Sequence, residues 1–150
     1  MGYYVSITST NWLLPIVNES AALDALKKLN SSENDHLKRG GRWGGGVAGK
    51  TESWFSWMPS DYDKTVKSVA EVLDMLGFET KVDPEGTRIV GYDSKTGQEE
   101  LFLATIAHFV EPGSAIDWRG EDDAIWRYQF DGTRMQVLEG RLTYSFGEEE

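Results

Sequence analysis

"SAIDWRGEDDAIWRYQFDGTRMQVLEGRLTYSF", Ser114 to Phe146, is the stretch whose reading decides the fold. Trp126, Tyr128 and Phe130 alternate with Ile125, Arg127 and Gln129, and Leu142, Tyr144 and Phe146 alternate with Thr143 and Ser145. A period of two marks a strand with one face buried and one wet. Asp131-Gly132 is a tight-turn signal, and "EDD" at Glu121–Asp123 breaks the pattern once more. Three or four strands joined by such short breaks predict an antiparallel meander.

Working backwards, "QEELFLATIAHFV" predicts a helix that is apolar almost all round, capped by Thr96 with Glu99. "FETKVDPEGTRIVGY" predicts a β-hairpin turning at Asp83-Pro84-Glu85-Gly86. "SDYDKTVKSVAEVLDMLG" predicts one helix, with Ser60 and Asp63 as its capping box and Gly77 as its left-handed stop. "SWFSWM", Ser53 to Met58, is strand-like. "ESAALDALKKLN" predicts a short amphipathic helix capped by Asn18 or Ser20, and "YYVSITS" predicts a half-buried strand. The order β-α-β-α-β-β-α followed by strands implies an α+β fold. It is a mainly antiparallel sheet with about three helices on one face and a C-terminal meander, forming a single domain over residues 1–150.

Composition sets the class. A chain of 150 residues with 39% hydrophobic residues can build one core. No apolar run reaches membrane-spanning length, nothing reads as a signal peptide, and "MGYYVS" reads as the start of a strand rather than a lipidation signal. There are no cysteines, which removes disulfides, thiolate metal sites and cysteine nucleophiles and fits a reducing cytoplasm.

The formal charge is −10, yet residues 38–50 carry +4 while every other stretch is acidic. That basic island lies in residues 30–51, a region without periodicity that holds six glycines and reads as a long loop. Within it "GGGVAGKT", Gly44 to Thr51, satisfies the phosphate-loop pattern G-x-x-x-x-G-K-[ST]. The pattern works only when a buried strand delivers the glycines and a helix starts at the lysine, so that amides and helix dipole converge on phosphate. Here "HLKRGGRW" precedes and "ESWFSWMP" follows. Neither supplies that context, so an NTPase is not expected.

The same residues can still hold an anion. Lys38, Arg39, Arg42 and Lys50 lie beside flexible glycines, with Trp43 to stack on a base and Thr51 at the end of the motif. These six form the predicted ligand-binding set. No catalytic residue, metal ligand or cofactor is assigned. His36 falls in the loop, and His108 falls in the third helix as a packed core residue. Neither has a partner at metal-ligand spacing. Asp117, Glu121, Asp122 and Asp123 lack calcium-loop spacing and read as a solvated hairpin tip. Trp54, Trp118 and Trp126 are assigned to the core, with Trp12 and Trp43 near loops.

"KRGGRWGGG…SWFSWM", "LDMLGFET" and "IDWRGEDDAIWRYQFDG" together resemble uncharacterised small acidic proteins of actinobacterial bacteriophages and prophages. The resemblance implies an accessory protein acting in the host cytoplasm by binding. It carries no residue roles. Two functions follow as expectations. One is sequestration of a phosphorylated, nucleotide-like signal by the basic loop, interfering with a host defence or regulatory process. The other is an inhibitor whose acidic strands mimic nucleic acid and occupy a basic cleft on a host protein. Direct binding of duplex nucleic acid or of a membrane is not expected. Exposed edges of a meander also invite self-pairing into a homo-oligomer.

Overall fold

The period-two alternation from Ile125 to Phe130 is realised as sheet register, while that of Leu142, Tyr144 and Phe146 lies outside the described residues. The structure, a computed structural model, describes residues 3–31, 42–43, 50–51, 61–95 and 98–141. Strands β7 (Ala115–Gly120), β8 (Ile125–Phe130) and β9 (Met135–Glu139) form the meander, with Trp118 opposite Trp126, Asp117 opposite Arg127 and Tyr128 opposite Val137. The second turn closes as its residues dictate. Gly132 takes φ +92°, and the Asp131 carboxylate accepts the Thr133 and Arg134 amides, each at 2.9 Å.

β1 (Tyr4–Thr10) pairs with β7, and its other edge pairs with β6 (Gly86–Lys95). β6 also pairs with β2 (Leu13–Pro15) and β5 (Phe78–Asp83), so seven strands, all antiparallel to their neighbours, make one sheet. The register of β1 slips between Ile7 and Ser9, a bulge that leaves Thr8 without a partner in the ladder. The expected α+β class, with its largely antiparallel sheet and C-terminal meander, is the observed one.

Among the described residues four α-helices take the place of the expected three. α1 (Glu19–Leu29) buries Ala22, Leu26 and Leu29. Asn18 occupies its N-cap, but the Asn18 side chain instead donates to the Phe109 carbonyl at 2.8 Å. The single helix expected over 60–77 is two: α2 (Tyr62–Thr65) and α3 (Val69–Leu76). The reason is a competing capping signal. Ser68 is extended, and its hydroxyl accepts the Glu71 amide at 3.1 Å while the Glu71 carboxylate accepts the Lys67 amide at 2.8 Å. Val66, extended at ψ 146°, is buried all the same. α3 ends at Gly77 in the left-handed region, as its sequence requires.

α4 (Glu99–Thr105) stops short of the expected helix end, and a 3-10 turn over Ala107–Phe109 follows. That turn swings His108 out to solvent, its ring tilted against that of Phe109, so His108 is not a core residue. Gln98, not Thr96, occupies the N-cap of α4; Thr96, Ser60 and the "SWFSWM" segment lie outside the described residues.

The core lies on one face of the sheet. Trp118 sits at its centre, with ring centroids of Tyr128, Tyr92, Phe78 and Trp126 at 5.3, 5.4, 6.0 and 6.3 Å. Trp12, expected near a loop, is fully buried edge-on to Phe130. Short strand β2 follows Trp12 directly and places Leu14 in the same core, which a count of apolar periodicity over three residues cannot reveal. Glu19, at the start of α1, ties the layers together: its carboxylate accepts the Val69 amide at 2.7 Å and the Thr87 hydroxyl at 3.2 Å. The opposite face of the sheet presents Ser6, Asp117, Arg119, Arg127, Gln129 and Leu138, all half-buried or exposed.

Gly86 is where β2, β5 and β6 meet, at φ +147°, and a Cβ there would lie 2.0 Å from the Leu14 carbonyl oxygen. Gly86→Ala is therefore expected to cost about 3 kcal/mol or more, read as a lower urea midpoint. Gly113, at φ +93° with nothing within 4 Å, is the control. Its alanine variant is expected to cost only about 1–2 kcal/mol of backbone strain. Equal losses at the two sites would refute the steric account.

Candidate functional site

Four of the six predicted ligand-binding residues are brought together by the backbone. β3 (Arg42–Trp43) and β4 (Lys50–Thr51) form an antiparallel ladder of their own, placing Arg42 opposite Thr51 and Trp43 opposite Lys50. The stretch expected as an unpatterned loop thus contains paired strands. Two-residue strands flanked by glycine carry no periodic signal. Lys38 and Arg39, like His36 and the glycines at 44–46 and 49, lie outside the described residues.

The ladder bears directly on the phosphate-loop pattern. In a phosphate loop the lysine and the following Ser or Thr open a helix, whose first amides and dipole face the phosphates. Lys50 and Thr51 are strand residues.

The acidic turn has a different character from an open carboxylate face. Asp117 forms a two-pronged pair with Arg127 across β7 and β8, at 2.6 and 3.1 Å. Asp123, in the left-handed region at φ 68°, pairs with Arg119 at 2.6 Å. Glu121 accepts the Tyr4 amide at 2.6 Å, and Asp122 accepts the Tyr3 hydroxyl in a short hydrogen bond. Each carboxylate thus has a partner within the chain, and Glu121 and Asp122 hold the hairpin tip to Tyr4 and Tyr3. Among the described residues no three His, Cys, Asp or Glu side chains form a metal-binding group, and no helix is long and apolar enough to cross a membrane.

Sequence reasoning passed over the outer sheet face. Two cavities, of about 330 and about 710 Å³, flank the Asp117–Arg127 pair, and both residues line each of them. The signal was available, because counting back from the "EDD" turn sets Asp117 opposite Arg127.

Protein-family models, curated proteins and solved structures give no match to this chain.

The Tyr3–Asp122 contact makes the hairpin tip pH-sensitive in both directions. The Tyr3 hydroxyl holds the Asp122 carboxyl below its usual 3.8, helped by the Ala124 amide, so this contribution is present above that value and fades as pH falls through the lowered pKa. The same hydrogen bond to Asp122 raises the Tyr3 phenol above 10.0. On that side the tether is complete below pH 10 and is lost as pH rises through the raised value. Ring-carbon NMR is expected to show Tyr3 titrating above the ordinary tyrosine range, and Asp122→Asn should return it towards 10.0. An unchanged Tyr3 titration in the variant would show that the contact does not persist in solution.

Proposed function

We propose that this protein is a non-catalytic binder that holds a small phosphorylated, nucleotide-like anion at the basic β3–β4 hairpin. One observation carries the reading: the ladder sets Arg42 opposite Thr51 and Trp43 opposite Lys50. Arg42, Trp43, Lys50 and Thr51 thereby hold neighbouring backbone positions in one ladder, next to or within residues 38–50, which bear +4 in a chain of −10. Arginine grips phosphate in two-pronged fashion and an indole stacks on a base, so the residue types match the parts of a nucleotide. The strand geometry of Lys50 and Thr51 supports holding over hydrolysis, because the helix terminus that organises phosphoryl transfer has no counterpart there.

The acidic-mimic reading has less support. Asp117, Asp122, Asp123 and Glu121 each already have a partner within the chain, so a basic cleft would have to displace Arg127, Arg119, Tyr3 and the Tyr4 amide. The resemblance to phage accessory proteins gives the setting: action in the host cytoplasm on a defence or regulatory process, by removing a nucleotide signal.

Calorimetry against mono-, di-, tri- and cyclic nucleotides tests this. At least one should bind without turnover, more weakly as salt is raised, and an Arg39→Gln, Arg42→Gln double variant should lose about tenfold or more in affinity. Undiminished binding by the double variant removes the hairpin as the site. Absence of heat with every nucleotide, together with capture of a host protein sensitive to changes at Asp122 and Asp123, would favour the acidic surface. Release of phosphate would make the protein an enzyme.

A further inference from the structure

We infer that the outer sheet face carries a second binding site, separate from the hairpin, for a small organic anion with an apolar body. The anionic group would sit on Arg127. The site is built by register. The cross-strand pairing of β7 with β8 sets Asp117 against Arg127, and the bulge in β1 brings Thr8 and Ser9 beside them. The two cavities meet at this pair, and Arg127 is the only basic residue among the described residues lining either one. Their volumes, about 330 and about 710 Å³, are those of small-ligand sites.

Arg127 is oriented before any ligand arrives. Its Nε and one Nη2 proton are taken by the two Asp117 oxygens. The remaining guanidinium protons have no partner among the described residues, and the side chain is 49% exposed. A guanidinium fixed along one edge offers its free donors at little further entropic cost.

The walls define the ligand. Ile125 and the exposed Leu138 line the smaller cavity, and Ser9 and Gln129 line the larger. Glu139 lines the first and Asp131 the second, so a bare anion meets repulsion that a single, already paired arginine does not overcome. Burial of an apolar body against Ile125 and Leu138 supplies the difference, at about 25 cal/mol per Å². An aromatic or aliphatic sulfonate, carboxylate or phosphate ester fits this description, and inorganic phosphate does not.

Amide NMR titration of the intact chain with naphthalene-2-sulfonate, and separately with inorganic phosphate, tests the assignment. Naphthalene-2-sulfonate should shift the amides of Thr8, Ile125, Arg127 and Leu138, and phosphate should bind about tenfold more weakly or not at all. The Asp117→Asn, Arg127→Gln pair variant leaves no unpaired charge and should weaken binding about tenfold or more. Leu138→Asn, at an exposed side chain, should weaken it severalfold and carries the test if the pair variant fails to fold. Arg42→Gln should leave this binding unchanged, which separates it from the hairpin. Shifts confined to the hairpin, equal affinity for phosphate, full affinity in the pair variant or in Leu138→Asn, or no shifts at about 10 mM ligand would each overturn the proposal.

Discussion

The packing of one indole organises this molecule. Trp118 touches rings from β5, β6 and β8 at once, so the meander and the hairpin can share a sheet only if all of them turn their aromatic residues to the same side. Strand parity then fixes everything else on those strands, because a slip by one residue would exchange the two faces. Placing Trp118 inward forces Asp117 and Arg119 outward, and placing Tyr128 and Trp126 inward forces Arg127 outward. The charged pairs of the outer face follow from the core. Within that core the buried Nε1 donors of Trp118 and Trp12 have no partner among the described residues.

The helices depend on that sheet through few contacts of high leverage. α3 has only eight residues, too few to be stable alone. Its N-terminus is held from three directions: by Ser68 and Glu71 locally, and by Glu19 from the start of α1. Since Glu19 also binds Thr87 on β6, one carboxylate joins two helices and a strand. The Tyr62 hydroxyl, donating to the Leu26 carbonyl at 2.6 Å, does the same for α2 and α1. Burial raises the Tyr62 phenol well above its ordinary range, so the donor stays protonated.

What could be read from the sequence was whatever one side-chain period decides. The alternation from Ile125 to Phe130, the turn at Asp131-Gly132, the hairpin at Asp83–Gly86 and the stop at Gly77 are each dictated within a few residues, and each recurs in the fold. Harder to read were choices between two valid local signals. Ser60-x-x-Asp63 and Ser68-x-x-Glu71 both spell a helix start, and a new helix begins at the second, where the distant carboxylate of Glu19 on the Val69 amide adds to the local cap. Trp12 could not be placed because its burial depends on Phe130, far along the chain. The candidate sites divide likewise. The composition of the basic segment was plain, but its pairing of residues 42–43 with 50–51 has no periodic trace. The Asp117–Arg127 pair follows from hairpin arithmetic once the turn is placed.

Charge placement gives these two surfaces different physical characters. On the outer face Arg119 and Arg127 are each matched by an aspartate, and Glu139 and Asp131 line the cavities beside Arg127, so charge alone gives an anion no net attraction there. The hairpin segment is unmatched within its own sequence and carries +4. Long-range attraction therefore belongs to the hairpin, where opposite charge can steer a small anion past an acidic body over a Debye length of about 8 Å at physiological salt. A polyanion spanning tens of ångströms would gain from the same island and lose against the rest of the chain. Under the proposed function, electrostatics would select for size before any contact is made. On the sheet face, where charge gives no net attraction, a ligand of the proposed kind would have to be selected by shape and apolar burial. Under the two proposals together, an acidic chain has one surface that would discriminate by charge and another that would discriminate by form.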